Sequence, residues 1–284
     1  MKEAHNPLLT LENWINQQSF TASVNAEGVF SSDNLKSKPM RIRAYMPQIV
    51  ISNGKIVCDG SLIRGEKLDV QWWNGKTKFN SLPKMKPHLT RFVAGREGLG
   101  LTDRIDSVVS YMKNNNIAIL DYNYGLWYDR RRDDHERIRR RDGDVWAPNY
   151  EQPFARSGQG TAWDGLSKYD LNRPNEWYWM RLKQFADKAQ RNGILLFHEN
   201  FFQHNIIEAG AHWVDCPWRS ANNINDLGFP EPVNFTGDKR VFMSDIFYDI
   251  SNENRRNAYR SYIREGLNRF ANNTNVVQLL SAEY

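Results

Sequence analysis

The sequence predicts a parallel α/β domain, the first half of a (β/α)8 TIM barrel, preceded by a β-rich N-terminal segment. Three observations carry that expectation. Short apolar runs recur along the chain, each preceded by a stretch of helical period. The turns from helix to strand are short, whereas the links from strand to helix are long and rich in aromatic and charged residues. Each clear strand ends in polar side chains, as strands do where they open on an active-site face.

Residues 1–86 read as a β-rich segment or module. Phe20 to Val24 and Met40 to Tyr45 alternate in polarity. Asn53-Gly54 is a hairpin turn between Ile49-Val50-Ile51 and Lys55-Ile56-Val57. Trp72-Trp73-Asn74-Gly75 reads as a further turn. Residues 87–284 read as the N-terminal half of the barrel, with a first strand around Phe92. Thr102-Asp103 starts a helix whose stripe is Ile105, Val108, Val109 and Met112, and Asn114 to Asn116 ends it. Ile117 to Leu120 is an apolar run of the kind a parallel strand shows when buried on both faces. The pattern repeats with a helix over 177–190 and a strand at Ile194 to Phe197. It repeats again with a helix over 254–270, with Tyr259, Ile263, Leu267 and Phe270 inward, and a strand at Val276 to Leu280. Counted from Phe92, that last strand is the fourth. It meets the end of the sequence uncovered, so the barrel is expected to be cut off at its C-terminus.

The composition of the 284 residues excludes several classes. No apolar run approaches the ~18–20 residues of a membrane span. No signal segment follows Met1, which implies a cytoplasmic protein if Met1 is the true start. The net charge of +5 sits largely in a mixed-sign run from Arg130 to Arg141, without any nucleic-acid motif. Cys58 and Cys216, the only cysteines, read as free thiols. Phosphate-binding glycine motifs and the Gly-x-Ser-x-Gly elbow are missing, so no nucleotide cofactor and no esterase reading is supported. His204, Glu208, His212 and Asp215 match no standard metal-ligand spacing, so neither metal nor cofactor is expected. No obligate protein partner is evident.

The candidate chemistry lies at the strand ends. Asp121, Glu199 and Glu283 follow successive strands, and carboxylates there converge on one mouth, the layout that paired acid/base catalysis needs. Around them stand candidate substrate contacts. Tyr124, Trp127, Arg131, Arg132, Asp133 and His135 follow the first clear strand. His198, Asn200, Gln203, His204, His212, Trp213, Trp218, Arg219, Asn222 and Asn223 follow or end the next. Indole faces stack on sugar C–H faces, and guanidinium forks grip carboxylates, so uronate-bearing chains would suit this set.

Long strings, Tyr124 to Glu136, Gln152 to Gly160, Gln203 to Trp213 and Asn222 to Asn225, resemble an uncharacterised bacterial family of secreted TIM-barrel glycosidases of the clan-A type, matched over about Phe92 to Tyr284. The resemblance implies a catalytic acid/base at the end of strand four, which is Glu283, although Ala282 precedes it where the clan pattern has Asn. It implies a nucleophile on strand seven, beyond Tyr284, and an extracellular or periplasmic protein. The expected function is a glycoside hydrolase acting on a complex polysaccharide or oligosaccharide. The alternatives are a carbohydrate-binding protein without catalysis, and a metal-assisted hydrolase or polysaccharide lyase.

Overall fold

The computed structural model describes residues 23–24, 30–31, 45–69, 85–124, 149–202, 206, 213, 216–231 and 243–281. The chain divides into two compact units, Met1–Ala44 and Tyr45–Tyr284. In the first, β1 (Ser23–Val24) pairs antiparallel with β2 (Phe30–Ser31). The Trp72 to Gly75 turn lies outside the described residues.

The second unit is mixed α/β. It opens with a hairpin of β3 (Ile49–Ser52) and β4 (Lys55–Cys58), with β5 (Ser61–Leu62) alongside. Asn53 and Gly54 form its turn at φ 50° and 71°. A two-residue hairpin turn needs positive φ at both central positions, which Asn-Gly supplies.

Its main sheet has four strands, β6 (Glu66–Asp69), β8 (Ile117–Tyr122), β12 (Leu195–Glu199) and β13 (Val276–Leu279), adjacent in chain order. Every pairing in it is parallel. Between β6 and β8 the chain forms β7 (Arg91–Phe92) and α1 (Ile105–Asn114). Between β8 and β12 it forms β9 (Asn149–Tyr150), β10 (Phe154–Arg156), β11 (Tyr169–Pro174) and α2 (Glu176–Gln190). A short α3 (Ser244–Phe247) and a long α4 (Glu253–Arg269) precede β13.

Two expectations change here. The strand at Phe92 is not in the parallel sheet, because β7 pairs antiparallel with β9. The sheet instead begins at β6, inside the segment the sequence assigns to a separate N-terminal module. β6 reads Glu-Lys-Leu-Asp, with Leu68 its one buried residue, so no apolar run marks it. Gly65 permits its entry. At φ 154°, a Cβ there would lie 2.6 Å from the Asn116 carbonyl oxygen, which accepts the Glu66 N–H at 2.7 Å.

The helices form for the expected reasons. Ile105, Val108, Val109 and Met112 are the buried stripe of α1, and Asn116 leaves it at φ 53°, a left-handed position that Asn tolerates. Asn175 caps α2 by accepting the Tyr178 N–H, and Asn252 caps α4 by accepting the Arg255 N–H. The inward stripe of α4 is Arg255, Ala258, Tyr259, Tyr262 and Gly266, whereas Leu267 faces out at 50% exposure. Gly266 faces the Trp179 ring, with the glycine's notional Cβ at ordinary contact distance, 3.5 Å from it.

The two faces of the sheet differ. Leu68, Leu120, Tyr122, Leu196 and His198 are fully covered, and Tyr178 and Trp179 of α2 pack on that side. In the alternate positions, Ile119, Phe197, Val277 and Leu279 are half-buried. Period-two alternation puts Lys67, Asp69, Asp121 and Glu199 on this second face.

Candidate functional site at the carboxyl edge of the sheet

Parallel pairing carries the strand ends to a common edge. Asp69 stands opposite Asp121, Phe197 stands opposite Asp121 on the other side, and Glu199 stands opposite Leu279. The carboxyl of Asp121 and that of Glu199 meet there, 7% and 2% exposed, close enough to hydrogen-bond. Lys67 reaches the same point, its Nζ 2.8 Å from Asp121 Oδ2 and 2.7 Å from Asp69 Oδ1. The Asn123 side chain hydrogen-bonds Glu199.

Burial pushes the Glu199 pKa up to about 8, and the hydrogen bond and charge of Asp121 add to that. Asn123 and the Lys67 charge oppose the shift without cancelling it. Lys67 itself is held charged, mainly by its bonds to Asp121 and Asp69. Asp121 Oδ1 and Glu199 Oε2 are both buried and meet no donor among the described residues. One proton shared between the two carboxyls supplies the hydrogen bond that joins them. The arrangement can hold a proton near neutral pH and deliver it. Lys67 and Asp69, whose side chains are about half and nearly two-thirds exposed, give the site an open flank.

Among the sequence-derived candidates, Asp121 and Glu199 are thus brought together. Glu283, Trp127, Arg131, Arg132, Asp133, His135, Gln203, His204 and His212 lie outside the described residues. The remaining candidates stand away from the carboxyl pair. His198 faces the helices, one residue from Glu199 but on the opposite side of β12. It packs on Trp179 and Phe270 with Nδ1 3.0 Å from Gln278 Oε1, and burial lowers its pKa to about 4. The Asn200 amide donates to Gln278 Oε1 at 3.1 Å and to the Leu279 carbonyl at 2.9 Å, which ties β12 to β13.

Trp213 and Trp218, expected to line a cleft, are instead buried in the hydrophobic core. Trp218 is fully buried against Phe154, Phe201, Tyr259 and Tyr262, and its Nε1 donates to the Tyr124 hydroxyl at 2.9 Å. Tyr124 is buried with it, and Trp213 packs on Phe229 and Phe247. Loops this long need an interior of their own, and large aromatic side chains provide it. Asn222 and Asn223 donate to carbonyls of their own loop, at Cys216 and at Pro217 and Arg219. Arg219 forms a two-bond fork with Glu231, both contacts 2.8 Å.

Lys67, Asp69 and Asn123 are the site residues that the candidate set omits. The signal for Asn123 is its position two residues after Asp121. For Lys67 and Asp69 the sequence carries no comparable signal, since β6 is short and charged.

Fold and site together define a mixed α/β protein with a buried carboxyl pair beside a lysine at the carboxyl edge of a parallel sheet. The sequence pattern of the family described as Domain of unknown function (DUF6298) matches residues 1–284, and the chain belongs to that family. No curated protein matches it. Among the described residues no helix is long and apolar enough to cross a membrane.

Proposed function

We propose that the chain carries the acid side of a glycoside hydrolase site on the first four strands of a (β/α)8 barrel, with Glu199 as proton donor to the leaving glycosidic oxygen. Support for the barrel is the strand order: β6, β8, β12 and β13 are neighbours in sequence order, all parallel, with a helix before each of the last three. A doubly wound sheet reverses direction at a switch point, whereas a barrel runs on in order.

The observation that carries the chemistry is the Asp121–Glu199 pair, with its pKa of about 8 at Glu199. A general acid must keep its proton at the working pH and release it in the transition state. Two acids flanking a glycosidic bond stand about 5–5.5 Å or about 6.5–9.5 Å apart. A hydrogen-bonded pair is closer than either, so Asp121 and Glu199 act as one unit on one side of the bond. The opposing carboxylate is then a separate residue. The substrate class is a complex polysaccharide or oligosaccharide, consistent with the glycosidase-like strings in the long loops, and the protein acts outside the cytoplasm.

The test begins with turnover by the full-length protein, since this chain alone is expected to be inactive, on plant and microbial polysaccharides, uronate-bearing ones included, and on nitrophenyl glycosides. Glu199→Gln keeps shape and hydrogen bonding but holds no acidic proton. Hydrolysis of an unactivated glycoside should fall by ~10²–10⁴-fold. First-turnover cleavage of a nitrophenyl glycoside should fall much less, because its leaving group needs little protonation. An unchanged rate on the unactivated glycoside removes Glu199 from the mechanism. If Glu283→Gln alone gives the pattern, the donor is Glu283. Saccharide binding with no turnover anywhere in the set would make the chain a binding protein instead.

A further inference from the structure

We propose that Lys67 is the residue that fixes where the charge of the carboxyl pair lies, pinning the negative charge on Asp121 so that the pair's single proton stays on Glu199. The proposal concerns the same pair as the functional reading, and it rests on that reading only for its activity readout.

The geometry is asymmetric. The Lys67 ammonium sits 2.8 Å from Asp121 Oδ2, whereas no hydrogen bond joins it to Glu199. A carboxyl pair with one proton has two near-equivalent arrangements, proton on either partner. An ammonium on one partner stabilises that partner's ionised form, because a charge-assisted contact favours the charged state. The Asn123 side chain, which hydrogen-bonds Glu199 and favours its ionised form, works against this placement and is outweighed by burial. Lys67 takes Oδ2, and the other oxygen of Asp121, Oδ1, is buried without a hydrogen-bond donor among the described residues.

Lys67 is also held in place. Gly65 lets β6 enter against Asn116, and the β6–β8 register sets Lys67 opposite Ile119, on the face of Asp121. Asp69, two residues on, takes the other side of the ammonium at 2.7 Å. Asp69 is largely exposed, so it competes for Lys67 only weakly through solvent. Among the described residues the charged and titratable groups at this point are Lys67 and Asp69 from β6, Asp121 from β8 and Glu199 from β12. The nearby β13 positions on the same face, Val277 and Leu279, are apolar. His198 lies across the sheet.

The sign follows from the charges. Removing the Lys67 cation makes loss of the pair's proton harder, so its titration moves up in pH. Removing the Asp69 charge leaves the ammonium to Asp121 alone, so the titration moves down. The pair titrates as a unit, so the readout is one midpoint and not two site values.

The experiment is an infrared titration of the full chain, following the C=O stretch of a protonated carboxyl, with Glu199→Gln identifying the band. The wild-type protein should keep that band at neutral pH. Lys67→Met should move its loss upward by on the order of one pH unit, the scale of one nearby charge. Lys67→Arg should restore the midpoint, and Asp69→Asn, at the exposed rim, should move it down. Thermal melts confirm that each variant is folded, and if Lys67→Met does not fold, the opposite-sign Asp69→Asn shift decides. A wild-type band missing at neutral pH, or midpoints unmoved by both charge changes, overturns the proposal. Where activity is found, the alkaline limb of the pH–rate profile should move with the band. A band that behaves as stated in a protein that hydrolyses no glycoside would leave the Lys67 assignment standing and overturn the hydrolase reading alone.

Discussion

His198 and Glu199 are neighbours in the chain and lie on opposite faces of β12, the first sealed beneath the helices and the second at the charged edge of the other face. Burial shifts both, in opposite senses. It favours the neutral form of each, which lowers the imidazole to about 4 and raises the carboxyl to about 8. The two therefore leave different signatures in stability against pH.

Glu199 has a folded-state pKa raised above its unfolded value of ~4.3. Its contribution is fully present below the unfolded value and is lost as pH rises through about 8. Urea unfolding at stepped pH should therefore show stability falling as pH rises from above ~7, where unfolded His198 is mostly neutral, to about 8. Glu199→Gln should flatten that interval. A wild-type profile already flat there would show that the carboxyl is ionised in the folded protein.

His198 shows the reverse sign. Its folded pKa lies below the unfolded ~6.5, so its contribution is present above that value and is lost as pH falls toward about 4. His198→Gln, neutral at every pH, should reduce the acid sensitivity of unfolding between those limits. Direct NMR titration of the ring should show no protonation at pH 5.5. A ring that titrates near 6.5 would place His198 in solvent and contradict its burial.

Gly65→Ala should destabilise the sheet by ~1–3 kcal/mol, the usual cost of forcing atoms into a filled space. The added Cβ would lie 2.6 Å from the Asn116 carbonyl and 2.8 Å from the Ala118 Cβ. Gly266→Ala is the control: its Cβ meets Trp179 at ordinary contact distance, 3.5 Å, and helix propensity favours Ala. Denaturant melts of the two variants should therefore differ, with Gly266→Ala close to wild type. Equal losses would mean that β6 does not depend on the close approach at Gly65.

Trp218→Ala should cost ~3–5 kcal/mol, the range for removing a large aromatic from a core. It also leaves the Tyr124 hydroxyl without its indole donor. Trp218→Phe should retain much of the packing and lose the hydrogen bond. The measurement is thermal stability alongside saccharide affinity. Loss of affinity with unchanged stability would return Trp218 to the cleft.

The parts of this fold that the sequence reveals are those with apolar side chains on both faces of the sheet. β8, β12 and β13 announce themselves as apolar runs, and α1, α2 and α4 by their period and their asparagine boundaries. Asp121 and Glu199 are legible for the same reason, as polar residues closing an apolar run. β6 is hidden because it sits at the edge of the sheet with a single buried residue, so periodicity has nothing to register. Lys67 is hidden with it, and its role exists only through the parallel pairing of β6 to β8. His198 reads as a site residue because a strand's last residues look alike in sequence, while alternation sends them to opposite faces. The tryptophans mislead for a chemical reason. An indole that stacks on sugar and one that fills a loop core have the same composition around them, and only burial separates Trp213 and Trp218 from a cleft.

The central claim is that one proton lies between Asp121 and Glu199 and belongs to Glu199. Neutron diffraction from deuterated crystals near neutral pD tests it most directly, because it locates the deuteron. The account predicts nuclear density bonded to a Glu199 carboxyl oxygen and directed at Asp121, with the Lys67 ammonium fully deuterated against Asp121 Oδ2. Two bare carboxylates, or a deuteron bonded to Asp121, would contradict it.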